Sequence, residues 1–259
     1  MKNDFLQQAL CSSVLAIALV ATPAFATTVT YSTDFETPIF SPGPVQPPGS
    51  DPRYTAGQDG WGGYNAGEIS TDQAHSGTQS IKTTYASNGS GPQHLLDPDT
   101  PGDPNHWFDI SYSNDWWVQA WVRPTAGGQG VTISVNSPIL ISISGAGVPY
   151  YHSGYRDAFG PNLGAGAFDQ WLLLRMVHTA SMGAALNFYI IGANVNQTMQ
   201  LEVYGPTLPN VVTLFGDAYW DDFSAGYGDA PPPVPLPASA WLMLSGLGGL
   251  GALSRKRKG

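Results

Sequence analysis

Two neighbouring stretches decide the fold of this chain: VTISVN at residues 131–136 and ILISIS at residues 139–144. Apolar and polar residues alternate in both, and side chains that alternate in this way lie on opposite faces of a β-strand. LNFYI at residues 186–190 and MQLEVY at residues 199–204 repeat the pattern. Each strand then has one face to bury and one face to leave in water, which favours antiparallel sheets.

Turn-forming residues separate these stretches. Gly- and Pro-rich segments lie at residues 125–130, 145–149, 160–166 and 205–209, and no convincing amphipathic helix lies between them. Short strands without helical crossovers are typical of a sandwich. We therefore predict one all-β domain over residues 27–229, a two-sheet antiparallel jelly-roll sandwich.

The amino terminus has the pattern of an export signal. Residues 10–20 are apolar, and Ala24 and Ala26 supply the small residues that signal peptidase reads. We expect residues 1–26 to be a signal helix that is cleaved during export by the Sec route. The single cysteine, Cys11, lies inside it, so the mature chain relies on its core and not on disulfides.

The carboxyl terminus has the pattern of a membrane segment. A Pro-rich linker at residues 230–237 leads to an uncharged stretch at residues 238–254. About 17 residues nearly cross a bilayer as a helix at about 1.5 Å per residue. Four cations follow, which would stay on the cytoplasmic side: Arg255, Lys256, Arg257 and Lys258.

The order of parts at residues 234–259 resembles the PEP-CTERM family of exosortase substrates. The processing motif of that family matches Val234, Pro235, Leu236 and Pro237, with Leu236 where the commonest form has Glu. The resemblance implies a Gram-negative host that makes exopolysaccharide and an exosortase-type processing partner. It also implies a transient inner-membrane anchor, followed by delivery to the cell surface or extracellular matrix. An ordinary C-terminal anchor is the alternative.

The exported domain is strongly acidic. Without the signal and the tail it has 5 basic and 18 acidic residues, a net charge of −13. Such a polyanion repels nucleic acid and acidic lipid. Neutral glycans, cationic groups and divalent metals are the compatible partners.

A second resemblance covers most of this domain. The segments DFE at residues 34–36, GQDGW at 57–61 and AHSGTQSI at 74–81, together with DQWLLL at 169–174 and YWDDFS at 219–224, resemble concanavalin A-like lectin and glucanase sandwiches. The last segment also resembles galactose-binding-like modules, which remain the alternative. Either resemblance implies a saccharide-binding sandwich, and the first includes enzymes.

The strand at residues 115–123 is the first candidate for a glycan platform. Alternation places Trp116 on a core face and a set of aromatic and polar residues on the opposite face. That set, with two aromatic residues of a nearby loop, is Trp117, Gln119, Trp121, Arg123, Tyr151 and Tyr155. Indole rings flanked by hydrogen-bonding groups suit sugars. The alternative is that these tryptophans are core residues.

Four carboxylates form a candidate metal site. Asp34 and Glu36 follow the first strand, and Asp221 and Asp222 lie in the last strand. First and last strands are often neighbours in sandwiches, and oxygen ligands suit Ca²⁺. We expect no certain cofactor beyond a possible structural Ca²⁺.

The sequence lacks a complete catalytic constellation. Retaining glycosidases need two closely placed carboxyl groups, and the only glutamates of the domain are the widely spaced Glu36, Glu68 and Glu202. His152, Tyr155 and Arg156 are a candidate set for a polysaccharide lyase. We therefore predict a non-catalytic glycan-binding or structural component of exopolysaccharide or biofilm, with a polysaccharide-degrading enzyme as the alternative.

Overall fold

The computed structural model describes residues 28–46, 57–63, 65, 67–85, 91–95, 115–135, 139–179, 185–202 and 211–230. The predicted signal peptide with Ala24 and Ala26 lies outside these residues. So does the chain beyond residue 230, with the predicted sorting residues 234–237, transmembrane segment and basic tail. Among the described residues, no helix has the length and apolar character that a membrane span requires.

The regular secondary structure of the described residues is almost entirely β-strand, as the alternating sequence predicts. Its strands are β1 (Thr28–Thr33), β2 (Gly43–Pro44), β3 (Glu68–Ser70), β4 (Ser80–Thr83), β5 (Gln93–Leu95), β6 (Trp116–Pro124), β7 (Gly130–Val135), β8 (Ile139–Ser144), β9 (Pro149–Ser153), β10 (Asp157–Phe159), β11 (Leu172–His178), β12 (Ala185–Gly192), β13 (Asn196–Glu202), β14 (Val211–Gly216) and β15 (Ala218–Tyr227). Two short 3-10 helices, Gln58–Gly60 and Gly164–Ala167, are the helical elements in this part of the chain.

The strands form two antiparallel sheets of a jelly-roll-like sandwich. Sheet A has nine strands in the order β13-β12-β11-β6-β15-β4-β3-β2, with β1 also paired to β15. Sheet B has six strands in the order β10-β9-β8-β7-β14-β5. The two stretches quoted first become β7 and β8, neighbours in sheet B.

The core lies between the two sheets and is built from the apolar half of each alternating strand. Sheet A contributes Trp116, Val118, Ala120 and Val122 of β6, the face that alternation predicts for the core. Sheet B contributes the apolar residues of β7, β8, β9 and β14, which are Val131, Ile133, Val135, Ile139, Ile141, Ile143, Tyr151, Val212 and Leu214. Every second residue of a sheet B strand therefore faces outward.

The last strand, β15, changes partner along its length. Its first residues pair with β4, and residues 223–227 pair with β1, so the first and last strands are neighbours as predicted. Between the two partners, β15 has a bulge against β6, where the register shifts between Asp221 and Ser224. Asp222 has a positive φ of 44° there. The bulge redirects the two carboxylates toward the outer face of sheet A, since bulges re-aim side chains.

Candidate functional site

The outer face of sheet A carries the platform predicted on β6, and much of that platform is closed. Trp117 has no exposed surface and Gln119 has 7%. Gln119 Nε2 donates to Ser224 Oγ at 3.1 Å on β15. The prediction that Trp117 and Gln119 lie on an open surface is therefore wrong, because tertiary contacts cover the side that alternation turns away from the core.

Trp121 of the same platform is half-buried and already has a stacking partner. The His75 ring lies flat on it, with centroids 4.0 Å apart and planes 14° apart. Trp171 approaches the same imidazole edge-on at 5.5 Å. Arg123, also half-buried, donates from Nη1 to Gln73 Oε1. The loop before β4 therefore occupies the groups that a sugar would need on this face.

Two carboxylates of the β15 bulge hold this loop in place. Asp221 Oδ2 accepts the backbone N–H groups of His75 at 2.7 Å and Ser76 at 3.1 Å. Asp222 accepts Ser76 Oγ–H at 2.6 Å and lies 2.6 Å from His75 Nδ1. His75 is thereby fixed over Trp121 from its polar edge.

Of the remaining metal candidates, Glu36 holds the far end of the same loop, and Asp34 contacts the backbone of Glu36. Glu36 Oε1 accepts the N–H groups of Thr78 at 2.5 Å and Gln79 at 2.6 Å, and Oε2 accepts Thr78 Oγ1–H at 2.9 Å. Asp34 Oδ1 accepts the Glu36 N–H at 3.2 Å. The carboxylates are thus bonded to N–H and O–H donors at two ends of one loop.

The four carboxylates of the candidate Ca²⁺ site accept hydrogen bonds from protein groups in this structure. Within the described part of the chain, no group of three or more acidic, histidine or cysteine side chains is placed to hold a metal ion. A site formed by Asp34, Glu36, Asp221 and Asp222 stays a prediction, which unfolding with and without EDTA tests.

The pKa values of the two aspartates of the bulge are shifted in opposite directions. Burial and the charge of Asp222 raise the pKa of Asp221 to about 7, against three backbone N–H bonds that lower it. Burial also opposes the charge of Asp222, but hydrogen bonds from His75 and Ser76 leave its pKa below the usual range. Asp222 therefore stays charged near neutral pH, whereas Asp221 titrates there.

The outer face of sheet B carries a different set of residues. Five of them lie directly opposite one another across five neighbouring strands, in the order Phe159, Tyr150, Ser142, Thr132 and Phe215. We call these five the aromatic–hydroxyl row. Since the residues next to them on each strand contribute to the core, the row faces away from it. Sugars need flat apolar rings and hydroxyl partners together, and the row contains both.

Each end of the row is an aromatic pair. Phe159, 70% exposed, lies 5.1 Å from the Tyr150 ring at one end. Tyr85, 45% exposed, lies 5.2 Å from the Phe215 ring at the other. Large exposed hydrophobic residues that cluster on one face mark binding surfaces more often than scattered ones do.

One carboxylate fixes the Tyr150 end. Asp157 Oδ1 accepts the Tyr150 hydroxyl at 2.7 Å and lies 2.5 Å from His152 Nδ1. The hydrogen bond to Asp157 raises the pKa of Tyr150, and the bonds from Tyr150 and His152 lower the pKa of Asp157. Tyr150 is therefore an oriented, neutral phenol at physiological pH.

The middle of the row is a chain of oriented hydroxyls. Thr132 Oγ1 donates to Ser142 Oγ at 2.9 Å, and Ser142 Oγ donates to the Val131 carbonyl at 3.1 Å. Because a hydroxyl has one proton and two lone pairs, Thr132 faces outward as an acceptor. Sugar hydroxyls are suitable donors for it.

The predicted residues of the β9–β10 region lie in three different places. Tyr151 is 1% exposed and belongs to the core, so its predicted place on a glycan surface is wrong. Tyr155 is exposed at the turn, with the Arg156 guanidinium 4.7 Å from its ring centroid. Arg156 Nε also lies 3.6 Å from a Glu202 carboxylate oxygen. His152 lies against Asp157 instead, so these two lyase candidates, His152 and Arg156, contact different carboxylates.

Sequence reasoning missed Tyr150, Phe159 and Phe215. A pattern-based signal was present, since Tyr150 and Phe215 occupy the outward positions of β9 and β14. What the sequence lacked was the register, which places residues 132, 142, 150, 159 and 215 side by side.

Solved structures similar to this chain are β-sandwiches. Arcelin-5 from Phaseolus vulgaris is 9% identical, with a TM-score of 0.42 over 79% of this chain and 99% of that one. The Bacillus licheniformis β-glucanase is 10% identical, with a TM-score of 0.38 over 78% and 98%. The CBM22-1 xylan-binding domain of Paenibacillus barcinonensis Xyn10C is 18% identical, with a TM-score of 0.36 over 80% and 99%. At these identities the similarity is one of architecture, and no ligand follows from it. A search of curated proteins finds no match.

The carboxyl terminus has a more specific relationship. A family model described as the PEP-CTERM protein-sorting motif matches residues 233–258, which confirms the resemblance seen in the sequence. This motif is the recognition signal for exosortase processing, and it indicates export with C-terminal anchoring or processing. The chain is therefore a β-sandwich with a PEP-CTERM sorting motif.

Proposed function

We propose that this chain is an exported, exosortase-processed protein of the cell surface or extracellular matrix that binds glycan without a catalytic step of its own. The sorting motif supports the destination. The aromatic–hydroxyl row supports the binding, because it is an outward surface of aromatic rings and oriented hydroxyls. Exopolysaccharide is the partner that such a destination would supply.

Retention on the exopolysaccharide of a PEP-CTERM-encoding bacterium tests this function. The full chain, held in mild detergent, is passed over the immobilised polysaccharide as wild type, Tyr150→Ala and Phe215→Ala. Loss of a contact residue at the centre of a binding surface weakens binding by roughly tenfold or more. Tyr189→Ala is the matched control, because it removes a half-buried aromatic side chain from the outer face of sheet A.

Two results would contradict the proposal. One is a wild-type chain that passes through the resin unretained. The other is equal retention of the wild type, Tyr150→Ala and Phe215→Ala, which would show that binding does not depend on sheet B.

A polysaccharide-degrading enzyme is the second candidate, and one observation favours it. Asp157 bonds both Tyr150 and His152, which leaves a carboxylate-oriented imidazole beside the row. An imidazole held in this way suits a general base, as in elimination from a uronate. Incubation with alginate and pectate would give unsaturated products that absorb ultraviolet light, and His152→Ala would abolish them. Absence of such products and of new reducing ends removes this candidate.

A further inference from the structure

We propose that the aromatic–hydroxyl row takes an uncharged, extended glycan chain that lies across the strands of sheet B and contacts both aromatic ends at once. This inference rests on the proposed function and adds the class, direction and minimum length of the ligand.

The register of the sheet sets the direction. Each of the five residues is the direct partner of the next, so the row runs at right angles to the strands. Neighbouring strands lie about 4.8 Å apart, which separates Tyr150 from Phe215 by about 14 Å and Phe159 from Phe215 by about 19 Å. One sugar ring does not reach from one aromatic end to the other. A chain of several rings does.

The order of residue types sets what the ligand must present. Apolar ring faces are needed at both ends, where the Phe159–Tyr150 and Phe215–Tyr85 pairs lie. Hydrogen-bond donors are needed in the middle, because Thr132 Oγ1 already donates its proton to Ser142 Oγ and can only accept from a ligand. A polysaccharide offers C–H faces on each ring and hydroxyls along its edges. An aliphatic protein segment or a lipid chain would leave the outward lone pairs of Thr132 Oγ1 without a donor.

Charge selects among polysaccharides. The six strands of sheet B contain no Lys, Arg or Glu, and their one carboxylate, Asp157, is bonded by Tyr150 and His152. A uronate or sulfate on the chain would therefore lose its hydration without gaining a cation, in a domain whose net charge is −13. An uncharged ligand is the complement of this uncharged surface.

Isothermal titration of the full chain in mild detergent tests the inference with oligosaccharides of defined length. The neutral probes are linear oligomers of glucose, xylose, mannose and N-acetylglucosamine, each with two and with six rings. Hexagalacturonate is the charged probe. At least one neutral hexamer should bind about tenfold or more tightly than its dimer, because only the hexamer reaches both ends. Hexagalacturonate should bind at least about tenfold more weakly than that hexamer.

Variants locate the two ends. Phe159→Ala and Phe215→Ala should each weaken the hexamer roughly fivefold to tenfold, and a dimer that contacts one end should respond to only one of them. Thr132→Val, which keeps the shape and removes the hydroxyl, should give a smaller loss. Tyr189→Ala on sheet A should leave the affinity unchanged.

The outcomes separate this inference from the proposed function. Equal binding of dimers and hexamers, or tighter binding of hexagalacturonate, overturns the extended neutral ligand while glycan binding stands. If no probe and no exopolysaccharide binds, both proposals fail. If sedimentation shows that the protein itself dimerises and that Phe159→Ala abolishes this dimer, a second copy of the chain is the occupant and the inference is overturned.

Discussion

The two sheets of the sandwich each turn an aromatic-bearing face away from the core, but they use these faces in opposite ways. On sheet A, Trp117 is fully buried and Trp121 lies under His75. On sheet B, the exposed Phe159 ring packs against the half-buried Tyr150 ring, beside the hydroxyls of Ser142 and Thr132. Strand alternation alone treats the two faces as equivalent. Whether an outward aromatic residue is a core residue or a contact residue depends on what the loops cover.

The cover on sheet A has identifiable causes. The loop at residues 75–79 is held by Asp221 and Asp222 at one end and by Glu36 at the other. Sheet B connects its strands more tightly, with four residues between β8 and β9 and three between β9 and β10. A tight turn has too little chain to fold back over a sheet, whereas a carboxylate-held loop covers it.

The largest expected effect comes from Trp117. Because its indole is fully buried, Trp117→Ala should lower the free energy of unfolding by about 3–5 kcal/mol, the usual cost of removing a buried tryptophan. Urea unfolding followed by circular dichroism measures it. Trp117→Phe should cost much less, since Trp117 Nε1 has no hydrogen-bond partner among the described residues and only volume is lost.

A small effect of Trp117→Ala on stability would contradict the burial of this side chain on the outer face of sheet A. It would mean that Trp117 is accessible and that the β6 platform is open after all. Glycan retention by a Trp117→Ala protein that remains folded is the accompanying measurement, and we expect it to equal that of the wild type.

The fold was predictable from this sequence because its signals are local. The alternation in residues 131–144 is sufficient to predict β7 and β8, and alternation assigns Trp116 and Val122 of β6 to the core. The candidate site was not predictable in the same way. Trp121 and Phe159 are both outward aromatic residues, and Trp121 is covered by His75, on a loop held by residues more than 140 positions away in the chain.

The second expected effect is a pH dependence that originates at the β15 bulge. The pKa of Asp221 is raised from its ordinary 3.8 to about 7, so the folded state binds the proton more tightly than the unfolded state does. The stability that this group contributes is complete below about pH 4 and is lost as the pH rises through 7. The loss should be on the order of 4 kcal/mol.

Thermal unfolding between pH 5 and pH 8 checks the sign. Wild-type stability should fall across this window, and the variant Asp221→Asn should show a flatter profile. It should be less stable at pH 5, because an NH2 group replaces one acceptor oxygen, so the N–H groups of His75 and Ser76 or that of Asp222 lose their acceptor. Asp222 and Glu36 have lowered pKa values, and their contribution is lost only in more acidic solution. A profile that rises from pH 5 to pH 8 would contradict a buried, protonated Asp221.

A smaller effect on stability should come from the hydrogen bonds between Glu36 and the loop at residues 75–79. Gly77 has a φ of +59°, and a Cβ built there would lie 2.4 Å from Glu36 Oε1. Gly127, in the turn after β6, has a φ of +78° with nothing within 4 Å of its Cβ position. Both alanine variants carry the backbone strain of about 1 kcal/mol, and only Gly77→Ala also displaces the carboxylate. We expect Gly77→Ala to be the more destabilising by about 1 kcal/mol.

Equal free energies of unfolding for these two variants would mean that the Glu36 contact contributes nothing to stability. The predicted Ca²⁺ can be examined with the same pair of proteins. If an ion joins Glu36 to the loop, added EDTA should lower the melting temperature of the Gly127→Ala protein and leave that of Gly77→Ala less affected.

The smallest expected effect on stability comes from Phe159, the counterpart on sheet B of Trp117 on sheet A. Since its side chain is 70% exposed, Phe159→Ser should change the free energy of unfolding by no more than about 0.5 kcal/mol. The same variant should bind exopolysaccharide more weakly, because one aromatic end of the row is gone. The two variants therefore have opposite effects: Trp117→Ala destabilises the domain without weakening glycan binding by the folded protein, and Phe159→Ser weakens glycan binding without destabilising the domain. A Phe159→Ser protein that is destabilised as strongly as Trp117→Ala would show that sheet B is covered like sheet A, and the row would then be part of a second core.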